Sequence, residues 1–213
     1  MDDIELPILG TEPLVVEFAN TLYGTQDFLG TAALAARWFT AVGTHAVRDT
    51  AAARALRDSI RALFTATVTA AAPPGAAITN VNATAAKAPT AAQLIAQPAG
   101  TFTAASRTTA TGDAALLGAL ATACIELLTD GRAQLLRHCD GPGCCLFFVQ
   151  HHPRRRYCHQ SCAHRDRQAR YYHRHTARAG RPHQSRDPSR PASAEIRRLA
   201  GSILAAGRIY GSM

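Results

Sequence analysis

Residues 139–162, CDGPGCCLFFVQHHPRRRYCHQSC, hold five of the chain's six cysteines within 24 positions. Thiols so crowded bridge, react or share a metal, and each outcome fixes the local fold. Four of them make two pairs, Cys139-x4-Cys144 and Cys158-x3-Cys162, separated by 13 residues. A redox CxxC motif is absent, and in a reducing compartment clustered cysteines bind metal more often than they form structural disulfides. Each short pair presents two sulfurs from one turn, so the pairs can close a tetrahedron around one zinc ion. Gly141, Pro142 and Gly143 suit the turn inside the first pair. Thiolate softness also admits an iron–sulfur cluster, but two such knuckles with no further cysteine run favour zinc. The expected ligands are Cys139, Cys144, Cys158 and Cys162. Cys145 is expected to be an ordinary buried thiol, and His138, His151, His152, His159 and His164 lie near enough for one of them to replace a cysteine in the ligand set. Four protein ligands leave no position for an activated water, so the zinc is read as structural. Without it, a segment whose apolar content is chiefly Leu146, Phe147, Phe148 and Val149 is expected to be unfolded.

The formal charge of +8 is unevenly spread. Residues 1–131 carry 7 basic against 11 acidic side chains, whereas residues 132–198 carry 15 arginines against 4 acids. A mildly acidic body joined to a strongly basic C-terminal third is the pattern of a polyanion-binding module, and nucleic acid is the commonest cytoplasmic polyanion. The start, MDDIELPILG, lacks both a basic region and a long apolar run, and nowhere are 18 apolar residues consecutive. Neither a secretory signal nor a membrane span is expected, which makes the cytoplasm the expected location.

Along the chain, EPLVVEFANTLYG opens on Pro13, tolerated in a first turn, and reads as a helix, with a strand as the alternative. TAALAARWFTAVG spaces Leu34, Trp38 and Val42 by four between a capping Thr31 and Gly43. From Val47 to Ala71 an apolar stripe predicts a long helix, with Arg54, Arg57, Asp58 and Arg61 mostly off it. APPG at 72–75 stops it, and a short helix follows before Thr90. Two segments flanking Pro98-Ala99-Gly100 predict a β-hairpin. A helix from Asp113 is expected to continue, bent at Gly131, into the cysteines, and SCAHRDRQARYYHRHTAR reads as a basic helix. The fold class is therefore mainly α with a small β-hairpin: a helical N-terminal domain (1–131) and a small C-terminal four-cysteine zinc finger followed by a basic helix (132–179). A flexible linker (180–192) and a C-terminal amphipathic helix (193–213) complete the chain, the last packing on the chain's own body or forming a homodimer.

If the basic helix begins near Ala163, then Arg167, Arg170, Tyr171, Arg174 and Arg178 fall on one stripe. That stripe is the expected DNA-facing surface, because guanidinium pairs with phosphates and guanine edges, while Arg154, Arg155 and Arg156 in the preceding loop would grip the backbone. A zinc held by four thiolates carries a formal charge of −2, which neighbouring guanidinium groups offset.

At RRRYCHQSCAHR followed by RQARYYHRH, the sequence resembles the CGNR zinc finger family through Cys139, Cys144, Leu146, Phe148, Arg156, Tyr157, Cys158, Cys162 and Arg165. It departs from the family at Ala163-His164, where Gly-Asn is typical. Arg165, the motif's arginine, is read as a structural neighbour of the sulfurs. The N-terminal body resembles the ABATE domain that usually precedes this finger, through LVVEFANTLYG, LAARWF, LRDSIRALF and the hairpin. The resemblance implies a stress-related bacterial transcription regulator whose finger binds DNA and whose ABATE domain senses a signal.

The leading expectation is thus a non-enzymatic, zinc-stabilised binder of double-stranded DNA governed by a helical domain and an unknown small-molecule effector. A second reading makes the N-terminal domain an enzyme or small-molecule binder, with the finger as a staple. Asn20, Thr21, Tyr23 and Trp38 are its candidate pocket residues, although core and capping roles suit them too, and no nucleophile–base or paired-carboxylate motif accompanies them. In a third, Tyr157, Tyr171 and Tyr172 interleaved with arginines stack on unpaired RNA bases.

Overall fold

Helix signals and stop signals alternate through the first two thirds of the chain, and the computed structural model, which describes residues 9–98 and 100–179, follows them closely. Helix α1 (Leu14–Ala19) starts directly after Pro13, whose carbonyl accepts from the Val16 and Glu17 amides. A minimal ladder, β1 (Leu22–Tyr23) with β2 (Gln26–Asp27), leads to α2 (Ala32–Ala41), capped by the Thr31 hydroxyl, which accepts from the Leu34 amide. Helix α3 (Thr50–Thr69) is capped by Asp49 and ends at Ala70, which sits in the left-handed region at φ 52° just before the prolines. After α4 (Gly75–Ala85) comes the expected hairpin, β3 (Thr90–Ala96) paired antiparallel with β4 (Phe102–Thr108). Helix α5 (Gly112–Thr129) packs against α4, where Gly118 passes so close to Ala88 that an added Cβ would lie 2.3 Å from the Ala88 Cβ. Among the described residues α5 is the one helix long and apolar enough to cross a membrane, yet its Leu117, Leu120, Cys124 and Leu127 are buried in the core.

Beyond α5 the structure departs from the expected bent helix. Gly131, at φ 85°, ends the helical path, and a single 3₁₀ turn (Arg132–Leu135) turns the chain into a third ladder. There β5 (Leu136–His138) pairs antiparallel with β6 (Phe147–Val149), and the cysteine-rich turn joins them. Helix α6 (Gln160–Ala179) begins between the two cysteines of the second pair. The chain divides into two compact units, Met1–Arg170 and Tyr171–Met213. The expected linker and C-terminal helix at 180–213 lie outside the described residues.

One apolar core spans the first unit. Trp38 meets Phe39 edge-on at 4.9 Å and Phe18 at 5.9 Å between centroids, with Leu56, Ile60 and Phe64 of α3 alongside. Leu136, Phe147 and Val149 belong to the same cluster. Strand alternation gives β6 two loyalties: Phe147 and Val149 face the helical core, while Phe148 between them packs with Cys139, Cys144 and Cys162. Arg57, expected off the apolar stripe of α3, is only 2% exposed. It is tied to Asp27 on β2 and to Asp58, and this pairing is what permits a guanidinium in the core.

Candidate metal centre

The β5–β6 turn shapes the first sulfur pair. The Cys139 amide donates to the Leu146 carbonyl and the Cys144 amide to the Gly141 carbonyl, both at 2.9 Å, and Gly143 takes φ 68°. Gly141 leaves no room for a side chain without a shift, since a Cβ there would stand 2.7 Å from the Cys162 Cβ and 3.4 Å from the Cys139 sulfur. The second pair lies at the start of α6, with Cys162 inside its first turn. Asp140 links the two knuckles: its amide donates to the Arg156 carbonyl at 3.1 Å, and its carboxylate accepts from Arg156 Nε at 2.9 Å.

The ligand atoms of Cys139, Cys144, Cys158 and Cys162 all lie within 4.8 Å of one another. Cys144 and Cys158 are 3.7 Å apart at sulfur, and Cys158 and Cys162 are 3.6 Å apart. Zinc–sulfur bonds of about 2.3 Å give a tetrahedral edge of ~3.8 Å, so this spacing fits one zinc and is too tight for a multi-iron cluster. The donor set fits as well. Backbone amides of Gly141 and Cys158 donate to the Cys139 sulfur at 3.4 and 3.3 Å. Arg165 donates to the Cys162 sulfur and to the Tyr23 hydroxyl, each at 3.1 Å. Such contacts disperse thiolate charge and orient the ligands. Hydrogen bonds from the Cys144 and Cys158 thiols hold the Cys139 thiol well below its usual range, and the same bonds push Cys144 up to about 12 and raise Cys158. Zinc must therefore displace protons when it binds. With four sulfurs engaged, the centre has no open position, and its role is structural.

The other neighbours fall outside it. Cys145 is half-buried, and its sulfur accepts from the Gly24 amide at 3.3 Å. His151, His152, His159 and His164 are exposed, and His138 meets the Phe147 ring edge-on. At the two positions that depart from the finger motif, Ala163 is half-buried and His164 exposed, while Arg165 keeps its contact with sulfur.

The three consecutive arginines part company. Arg154 is exposed, and Arg156 is exposed beside Asp140. Arg155 turns inward. Its guanidinium pairs with Glu12, donates to the carbonyls of Val149, Tyr157 and Cys158, and lies 4.7 Å over the Phe148 ring. A structural clasp, not an open cation, occupies that position. Sequence reasoning missed Glu12, whose other carboxylate oxygen accepts from the Val149 amide at 2.8 Å. On α6, Arg167, Arg170, Tyr171 and Arg174 are exposed, with Arg170 paired to Asp166 and the Tyr171 ring tilted at 44° against His175, 4.1 Å between centroids. Arg178 lies on the same helix.

Of the four candidate pocket residues, Asn20 and Tyr23 line a cavity of about 560 Å³, together with residues of the finger such as Phe147 and Cys158. Asn20 also grips β6 reciprocally, its amide donating to the Phe147 carbonyl and its oxygen accepting from the Phe147 amide, both at 2.9 Å. Thr21 and Trp38 are fully buried and line no part of that cavity. Thr21 donates to the Phe18 carbonyl, and Trp38 fills the aromatic core. Glu17 was missed too. Its signal was available in the sequence, because a carboxylate ringed by Val15, Val16, Phe18 and Ala19 on one short helix cannot reach solvent easily.

Residues 12–131 match the family model ABATE, described as "Putative stress-induced transcription regulator", and residues 136–175 match that of the CGNR zinc finger. No curated protein matches the chain.

Proposed function

The chain belongs to the ABATE family and carries a CGNR zinc finger after it, and from that premise we propose that it is a non-enzymatic transcription regulator that binds duplex DNA. The DNA-binding surface is the exposed face of α6 with the loop before it. The observation that carries this reading is the arrangement of basic side chains around a closed zinc centre. Arg154, Arg156, Arg167, Arg170 and Arg174 are exposed, in a chain region where arginine outnumbers acid by 15 to 4. Zinc fixes the start of the helix that bears most of them, so the metal serves recognition by holding a shape. Arginines along such a helix suit phosphate and guanine contacts.

Fluorescence anisotropy with the full-length, zinc-loaded protein and a mixed-sequence duplex tests it. Five phosphate contacts, one from each of those arginines, give a log–log slope of about −4.5 between about 50 and 200 mM salt. Absence of salt-dependent binding overturns the proposal. The exposed Tyr171 and Tyr172 favour a second reading, in which unpaired RNA bases stack on them. Stronger competition by single-stranded RNA than by duplex DNA would select it.

A further inference from the structure

The chain carries 23 Lys and Arg residues, yet among the described residues no Lys or Arg lines the cavity of about 560 Å³ between the end of α1 and the finger. Its charged lining residues are Glu12 and Glu17, and its finger-side wall includes the metal ligands Cys158 and Cys162. Glu12 is matched by Arg155 and by the Val149 amide. Glu17 is not. It is 5% exposed, and its Oε1 accepts from the Thr11 and Glu12 amides at 2.9 and 3.2 Å. No donor among the described residues meets its Oε2, and the carboxylate lines the cavity, which leaves that oxygen open to solvent there. A carboxylate oxygen left to solvent by the protein can take a charged donor that enters the space beside it, and a largely apolar wall strengthens that pairing. Zinc adds to this bias, because the four-thiolate centre brings a formal −2 to the same wall and Arg165 offsets only part of it. Anions, nucleic acid phosphates among them, are disfavoured there on the same grounds.

The rest of the lining is largely apolar, with Leu9, Phe28, Leu146 and Phe147. A volume of this size falls within the range of small-molecule sites, about 300–1,000 Å³. We propose that the cavity binds a small organic cation, a protonated amine with an apolar or aromatic body. Its ammonium group sits against the Glu17 carboxylate and its body packs on Phe28 and Leu146. The helical body supplies one wall and the finger the other, so the occupant touches both. This inference does not depend on DNA binding.

Isothermal titration of the full-length, zinc-loaded protein with phenethylamine, 2-phenylethanol and phenylacetate, equal in bulk and different in charge, tests it. The amine binds with one site per chain, about tenfold or more tighter than the alcohol, and the carboxylate does not bind. In Glu17→Gln, which keeps shape and loses charge, the amine's advantage disappears while one zinc per chain is retained. Equal affinity for amine and alcohol, or an unchanged amine affinity in Glu17→Gln, overturns the proposal. Should Glu17→Gln fail to fold, the wild-type charge series still decides, and Ser161→Trp, which fills the cavity from the finger side, gives a second check. Amine binding that survives Ser161→Trp places the site elsewhere and also overturns it.

Discussion

Gly141 shows how little room the metal centre leaves. A methyl group there would meet the Cys162 Cβ at 2.7 Å and crowd two sulfurs, so Gly141→Ala must shift one knuckle against the other. Zinc affinity should fall about 10- to 100-fold, the usual cost of disturbing what surrounds a ligand set, read by competition with a chromophoric chelator. Serine at Cys139, Cys144, Cys158 or Cys162 should abolish the single bound zinc in elemental analysis. Cys145→Ser should keep it, because that sulfur contacts the Gly24 amide instead. Protons set the pH dependence. Cys144, pushed up to about 12 by the bond it donates to Cys139, is a thiol at neutral pH without metal and a thiolate with it. Each proton that zinc displaces makes binding weaker as pH falls and tighter as it rises. The same competition assay across about pH 6 to 8, the range around neutrality in which zinc must displace thiol protons, should show affinity climbing with pH; a flat profile would mean that the thiols are already ionised.

At the level of elements, identical residues in RRR serve opposite ends, and that yields a paired prediction. Arg155→Ala strands Glu12 and uncovers the Phe148 ring, so it should cost about 2–3 kcal/mol in denaturation of the zinc-loaded protein, discounted because Arg155 is a quarter exposed. It should leave the salt slope of DNA binding unchanged. Arg154→Ala and Arg167→Ala should do the reverse, each lowering the slope by about 0.9 with little loss of stability. Nothing local in the sequence distinguishes Arg155 from its neighbours, since its partner Glu12 lies 143 residues away. Spacing was informative wherever the cause was local: the cap at Thr31, the stripe of α3, the prolines that stop it, the two cysteine pairs. It failed where the cause was distant. Strand β5 hid inside the helix expected to run from Asp113 into the cysteines, because it is three residues long and draws its stability from β6 and the helical core; Gly131 marked the break. Arg57 likewise read as a surface residue because Asp27, its partner, is 30 positions earlier.

For the whole molecule, the division of labour between metal and core decides what zinc removal does. The cysteine-rich segment, taken alone, has too few apolar residues to fold, which is why loss of the ion is expected to unfold it. The structure distributes those residues differently. Leu136, Phe147 and Val149 are buried in the main core, and burying such side chains is worth about 1.5–3 kcal/mol each. Asn20 and Arg61 add anchors, with the Arg61 guanidinium 5.4 Å over the Phe147 ring and bonded to the Ala19 carbonyl. Together these contributions approach the lower end of the roughly 10–16 kcal/mol that a structural zinc supplies. The hairpin strands should therefore stay docked when zinc leaves. By contrast, Cys139–Cys144 and the start of α6 lie outside that core, held by sulfur contacts, by Arg165 and by the Asp140–Arg156 and Arg155–Cys158 bonds, and should open. Hydrogen exchange of the full-length protein with excess chelator should show protection kept at Leu136, Phe147 and Val149 and lost at Gly141, Cys144 and Cys158 to Arg165. Uniform loss through residues 136–149 would mean that the ion, and not the shared core, holds the hairpin in place; uniform retention would mean that the knuckles do not need it.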